Sequence, residues 1–138
     1  MLRIRHEVNG GPEVLFAEEV DRPAAGAGEV LIRVEAVGVT LPTVRKVREG
    51  GEPISFGGEV AGEVVAAGAG VTAFGVGERV TGLCFADAYA EFAVLNTAMT
   101  SRIPDGGGAG GAGGGACSAR ARRGPRDDAA QAGSRHVG

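Results

Sequence analysis

Residues 57–80 read GGEVAGEVVAAGAGVTAFGVGERV, and the spacing of valine and glycine in this stretch decides the fold class. The run from Val60 to Ala67 is apolar, β-branched at three positions and bounded by glycines, the composition of a well-buried strand. Glu59 and Glu63 then fall on one face, because strand side chains alternate with a period of two. The segment FGVGERV at 74–80 places Gly75 and Gly77 where a tight reversal needs positive φ angles, and so delivers the chain into a further strand.

Working outward, EVLIRVEAVGV at 29–39 sets Ile32, Val34 and Ala36 against Arg33 and Glu35, the alternation of a half-buried strand. Arg79 to Phe85 and Ala88 to Leu95 read as two more strands. Between the strands of 29–39 and 60–67, LPTVRKVRE predicts a short helix over Leu41 to Glu49. Thr40 is its N-cap, Pro42 lies in its first turn, Gly50 stops it, and Val44 and Val47 face inward. Short strands punctuated by glycine and proline predict a mainly β domain, a barrel with one or two short helices.

That pattern stops near Asp105. Residues 106–115 read GGGAGGAGGG, and from Gly106 to Gly138 there is no Leu, Ile, Met, Phe or Tyr. Such a tail buries too little apolar area to offset chain entropy and is expected to be disordered. Charge changes at the same place, with fifteen acidic against nine basic residues before Gly106 and two against five from there on. We therefore read a domain over 1–105 and a low-complexity tail over 106–138. Glycine, alanine, arginine and proline are also what GC-rich codons give out of frame, so the tail is further expected to be a frameshifted or truncated end.

The rest of the composition excludes several classes. No run of eighteen apolar residues could span a bilayer. The N-terminus MLRIRHEVNGG lacks the apolar core of a secretory signal, so a cytoplasmic protein with no membrane partner is expected. Cys84 and Cys117 form no CxxC pair and read as reduced thiols. The four arginines between Ala119 and Arg126 have no interleaved aromatics and are followed by Asp127 and Asp128, so nucleic acid is not expected as a partner. Gly106 to Gly111 satisfies GxGxxG, but it follows the turn RIPDG instead of a strand and opens no apolar-faced helix, so it is not read as a dinucleotide site.

Five segments in order, GGPEVL at 10–15, GEVLIRVEAVGV at 28–39, the stretch at 57–80, YAEFAVL at 89–95 and IPDG at 103–106, together resemble the N-terminal domain of the medium-chain dehydrogenase/reductase superfamily. Within it they are most similar to the zinc-independent quinone oxidoreductases, the zeta-crystallin-like branch. The resemblance covers 1 to about 106 and implies a GroES-like β-barrel that precedes an NADPH-binding Rossmann domain. It implies a small quinone or α,β-unsaturated carbonyl substrate, reduced by hydride transfer.

In the zinc enzymes of that superfamily a cysteine and a histidine of this region bind the metal; here Thr40 and Gly58 stand at those positions. The remaining candidates, Glu59, Cys84 and His6, have no metal-ligand spacing, and the four-cysteine structural lobe has no counterpart. No zinc is therefore expected. In the quinone oxidoreductases the segment beside the nicotinamide often reads Gly-Val-Asn-x-x-Asp. Here it is Gly38-Val39-Thr40-Leu41-Pro42-Thr43, so two hydroxyls replace an amide and a carboxylate. Thr40 and Thr43 are accordingly the candidate catalytic residues, able to donate to a substrate oxygen; the alternative is an N-cap for Thr40 and a surface hydroxyl for Thr43. Tyr89, the only tyrosine, is weighed as an acid but reads as a packing residue, because its setting in YAEFAVL matches a family strand with that role. NADPH is the cofactor implied, although these residues alone include nothing to bind it, and the chain alone is expected to be inactive. The competing reading is a non-enzymatic GroES-like module that binds a partner or forms a homo-oligomer through apolar surface; an enoyl-reducing domain of a polyketide synthase shares the fold.

Overall fold

The computed structural model describes residues 1–50 and 55–104, together with the backbone of Ser118 and Ala119. The expectations of a disordered, frameshifted or truncated tail, the GxGxxG run, the tail arginines and Cys117 lie outside the described residues. In chain order the elements are β1 (Leu2–Arg5), a 3-10 turn (Pro12–Val14), β2 (Phe16–Glu19), β3 (Glu29–Gly38), α1 (Leu41–Glu49), β4 (Gly58–Ala67), β5 (Arg79–Cys84), β6 (Phe92–Asn96), a second 3-10 turn (Thr97–Met99), β7 (Thr100–Arg102) and β8 (Ser118–Ala119).

Strands β6, β3, β4, β5 and β7 lie side by side in that order, and β1 pairs with β2 as a separate hairpin. The main ladder is open between β6 and β7 among the described residues, so the barrel-like domain is not closed by hydrogen bonds. β3 is its spine: β4 runs along one edge, while β6 covers Glu29 to Arg33 on the other and β8 meets Val37 and Gly38. Register shifts between Leu31 and Ile32 and between Val34 and Ala36 bend the β3–β4 pair, the usual effect of a bulge. Val30, Ile32, Val60, Val64, Val80 and Leu95 close over one another as the core, each essentially inaccessible to water. The alternation anticipated for β3 holds, with Ile32 and Ala36 buried and Arg33 and Glu35 exposed.

Helix α1 occupies Leu41 to Glu49 as the sequence predicts, with Val47 buried and Val44 half-buried. Its cap differs: Thr40 takes the extended N-cap conformation but its side chain makes no capping hydrogen bond, because its hydroxyl is engaged elsewhere. Two further expectations are corrected. Ala88 to Glu91 is not strand, since Asp87 adopts φ 53° and the chain kinks there. Only Ala90 forms a bridge, to Arg3, and β6 begins at Phe92. In the reversal before β5, Gly77 has positive φ but Gly75 does not.

The Asp87 kink is held from two sides. Arg3 donates to both carboxylate oxygens (3.2 and 3.1 Å), and the Ser55 hydroxyl donates to Oδ1 while accepting from the Asp87 amide, both at 2.8 Å. Arg3 also reaches Glu18 (3.0 Å), and this hydrogen bond holds the Glu18 carboxyl below its usual range. β1 is thereby fixed to the segment that carries Tyr89, with the Ile4 amide donating to the Tyr89 carbonyl at 2.8 Å.

Candidate functional site

The site lies where β3 runs out and α1 begins. Gly38 ends β3 buried, and its carbonyl accepts a hydrogen bond from the Tyr89 phenol at 2.7 Å. Three residues on, the chain turns into α1, and the hydroxyls of Thr40 and Thr43 lie 3.2 Å apart. Thr40 is exposed and Thr43 half-buried. The structure thus brings both sequence-predicted site residues together as one hydrogen-bonded pair. A hydroxyl carries one proton; the bond between them uses one of the two, and the Thr43 hydroxyl also interacts with the Tyr89 phenol.

Thr43 also lines a cavity of about 250 Å³. Val39, Val44, Val47, Ile4, Leu15 and Phe56 make its apolar wall, the glycines of the 10–12 loop form one lip, and its polar side chains are Thr43, Tyr89 and Arg48. The lip is tied to α1 by the Gly10 amide donating to the Val47 carbonyl at 3.0 Å and by the Asn9 side chain donating to the Gly50 carbonyl. A small concave space, mostly apolar and with a few convergent polar groups, is the ordinary form of a small-molecule site.

Tyr89 belongs to this site, and its packing role is real as well. Its ring meets Phe56 edge-on at 5.1 Å, and Phe56 stacks on His6 at 5.4 Å. What the sequence reading missed is the phenol. A tyrosine whose ring packs in a core needs a partner for its O–H, and the backbone at the end of β3 supplies it beside Thr43. Burial raises the Tyr89 phenol above its ordinary value, with the nearby Thr43 hydroxyl acting in the opposite sense. A raised value means that the folded chain holds the proton more tightly than the unfolded one. This contribution to stability is therefore complete below the ordinary phenol range near 10 and is lost as pH climbs through the folded value. With one tyrosine and no tryptophan in the chain, alkaline titration of phenolate absorbance reports Tyr89 alone. The expected midpoint lies above that of a free tyrosine, and a midpoint at or below it contradicts the burial.

The candidate metal residues do not gather. His6 is buried, with Nδ1 3.0 Å from the Val8 carbonyl. Cys84 is buried, its thiol donating to the Ala86 carbonyl at 2.8 Å and pushed up by burial. Glu59 is exposed on β4. Among the described residues no three His, Cys, Asp or Glu side chains form a group able to hold a metal ion. A dinucleotide cradle is built on a parallel strand, a glycine turn and a helix, whereas the strand pairs described are antiparallel. These residues do not fit NADPH. No helix among them is long and apolar enough to cross a membrane.

Residues 26–122 match the alcohol dehydrogenase GroES-like domain family. A Pseudomonas aeruginosa quinone oxidoreductase is 38% identical over 112 residues, covering 75% of this chain and 34% of its own. A Rattus norvegicus quinone oxidoreductase is 39% identical over 106 residues, with 70% and 31% covered. A mycobacterial protein solved in complex with NADPH superposes with a TM-score of 0.71 at 36% identity, covering 79% of this chain and 35% of that one. The chain spans about a third of the length of the curated relatives it matches.

Proposed function

Since the chain belongs to the alcohol dehydrogenase GroES-like domain family, we propose that it is the substrate-side domain of a zinc-independent, NADPH-dependent reductase of quinones or α,β-unsaturated carbonyl compounds. The observation that carries the reading is the Thr40–Thr43 hydroxyl pair, whose Thr43 lines an apolar cavity. A flat, mostly apolar carbonyl compound fits such a wall, and a hydroxyl of the pair can turn its proton to the substrate oxygen. As the carbonyl is reduced, negative charge grows on that oxygen, and a donor already aimed at it stabilises the charge at no cost of reorganisation. Tyr89 holds the Gly38 carbonyl and so fixes the backbone from which Thr40 and Thr43 project.

On this reading NADPH is held outside the described residues. Val39 and Leu41, which flank Thr40, are 49% and 61% exposed, and apolar side chains bare beside a reaction site suit a second domain closing over the substrate. The site needs no metal: the hydroxyl pair takes the place of a Lewis acid. The proposal places the protein in the cytoplasm, where NADPH is abundant.

Titration of the 138-residue chain with cyclohexenone, followed by backbone amide NMR, tests the reading. The largest shifts are expected at residues 38–48 and at Tyr89. Shifts centred elsewhere, or none at millimolar ligand, would leave a binding module without this chemistry as the better description.

A further inference from the structure

The polar side chains lining the cavity are those of Thr43, Tyr89 and Arg48. Thr43 and Arg48 stand five residues apart on α1, and Val44 and Val47, which fall between them in sequence, line the cavity too. Five residues of α-helix advance about 7.5 Å, so a hydroxyl and a guanidinium separated along the helix line one apolar trough. Among the described residues no carboxylate is paired with Arg48. The same helix carries Arg45 and Lys46 against one acid, Glu49. The nearest acid of the opposing lip, Glu13, is turned to the Gly11 amide at 3.0 Å.

An arginine at the end of a helix gains something from the helix dipole, but that role does not require it to line a cavity. Neutral enones leave the guanidinium without a partner. A ligand with an acceptor oxygen at one end, an apolar body and a planar anion at the other satisfies all three parts of the trough at once.

Building on the proposed reduction, we infer that the preferred substrates are carbonyl compounds bearing a carboxylate, with Arg48 as the specificity-determining residue. The guanidinium fork matches a carboxylate in two parallel hydrogen bonds, which places the far carbonyl at the Thr40–Thr43 pair. Because Arg48 is exposed, its share is that of a solvent-facing ion pair and weakens with salt.

The test uses the 138-residue chain and the rigid probe para-acetylbenzoate, whose ketone and carboxylate sit across a benzene ring, with its methyl ester as the neutral twin. Binding is read by amide NMR. The carboxylate is expected to bind about fivefold more tightly than the ester, an advantage that Arg48→Gln abolishes, Arg48→Lys only partly restores, and high salt reduces. An unchanged amide spectrum outside α1 shows that each variant is folded. Equal binding of acid and ester, with shifts still at residues 38–48, overturns the carboxylate assignment and leaves the proposed function standing. Binding of neither probe removes both. Displacement of the acid by equimolar inorganic phosphate also overturns the assignment, since Arg48 would then be reading anions in general.

Discussion

A Gly62→Ala chain is expected to lose about 3 kcal/mol or more of stability and to melt about 12 °C or more below the parent. A Cβ at residue 62 would lie 2.0 Å from the Arg33 carbonyl oxygen, 2.9 Å from its carbon and 3.2 Å from the Val34 Cα. All three are backbone atoms of β3, the strand flanked by β4 on one side and β6 on the other, so no side chain can swing away to make room. Relief requires β3 or β4 to move, and either disrupts the ladder between them. Against a total stability of roughly 5–15 kcal/mol, the loss is large enough to be seen in any thermal or urea transition. Gly75→Ala serves as the comparison, because a Cβ there meets nothing within 4 Å and the residue lacks positive φ. If the Gly62→Ala chain melts within about 2 °C of Gly75→Ala, the close approach of β4 to β3 is not as described.

The strands at 29–39 and 60–67 and the helix at 41–49 were legible in the sequence because each rests on a local signal. Period-two burial marks Ile32 and Ala36, a bounded β-branched run marks Val60 to Val65, and proline and glycine bracket the helix. The interruption at Asp87 was not legible. Ala88 to Leu95 has strand composition throughout, and what breaks it is a long-range clamp from Arg3 and Ser55, 84 and 32 residues away. The Thr40 hydroxyl was half legible: its position at the head of α1 was plain, but its choice of Thr43 over the helix amides depends on geometry that no pattern encodes. Tyr89 and Arg48 escaped for the same reason. A residue's place in a strand or helix can be read from its neighbours in sequence, whereas the cavity they line is assembled from five separate stretches.

The largest effect concerns turnover. Given NADPH and a quinone, the 138 residues by themselves are expected to oxidise the cofactor no faster than the solution blank. Positioning two reactants is worth an effective molarity on the order of 10⁵–10⁸ M, and on the proposed function the described residues position only one of them. Restoring the second reactant should restore the rate. Residues 1–104 joined ahead of the portion of the Pseudomonas aeruginosa quinone oxidoreductase that lies beyond its match to this chain are expected to oxidise NADPH with a quinone or enone. In that chimera, replacing Thr40 with alanine and Thr43 with valine should lower kcat by about 10²–10³, the cost of removing an oxyanion donor, while NADPH binding is unchanged.

The single measurement that decides the account is therefore the substrate-dependent rate of NADPH oxidation by this chimera with and without the two hydroxyls. A rate well above the blank that collapses when Thr40 and Thr43 are replaced is the predicted result. A folded, NADPH-binding chimera that shows no turnover, or one whose turnover ignores the loss of both hydroxyls, contradicts it.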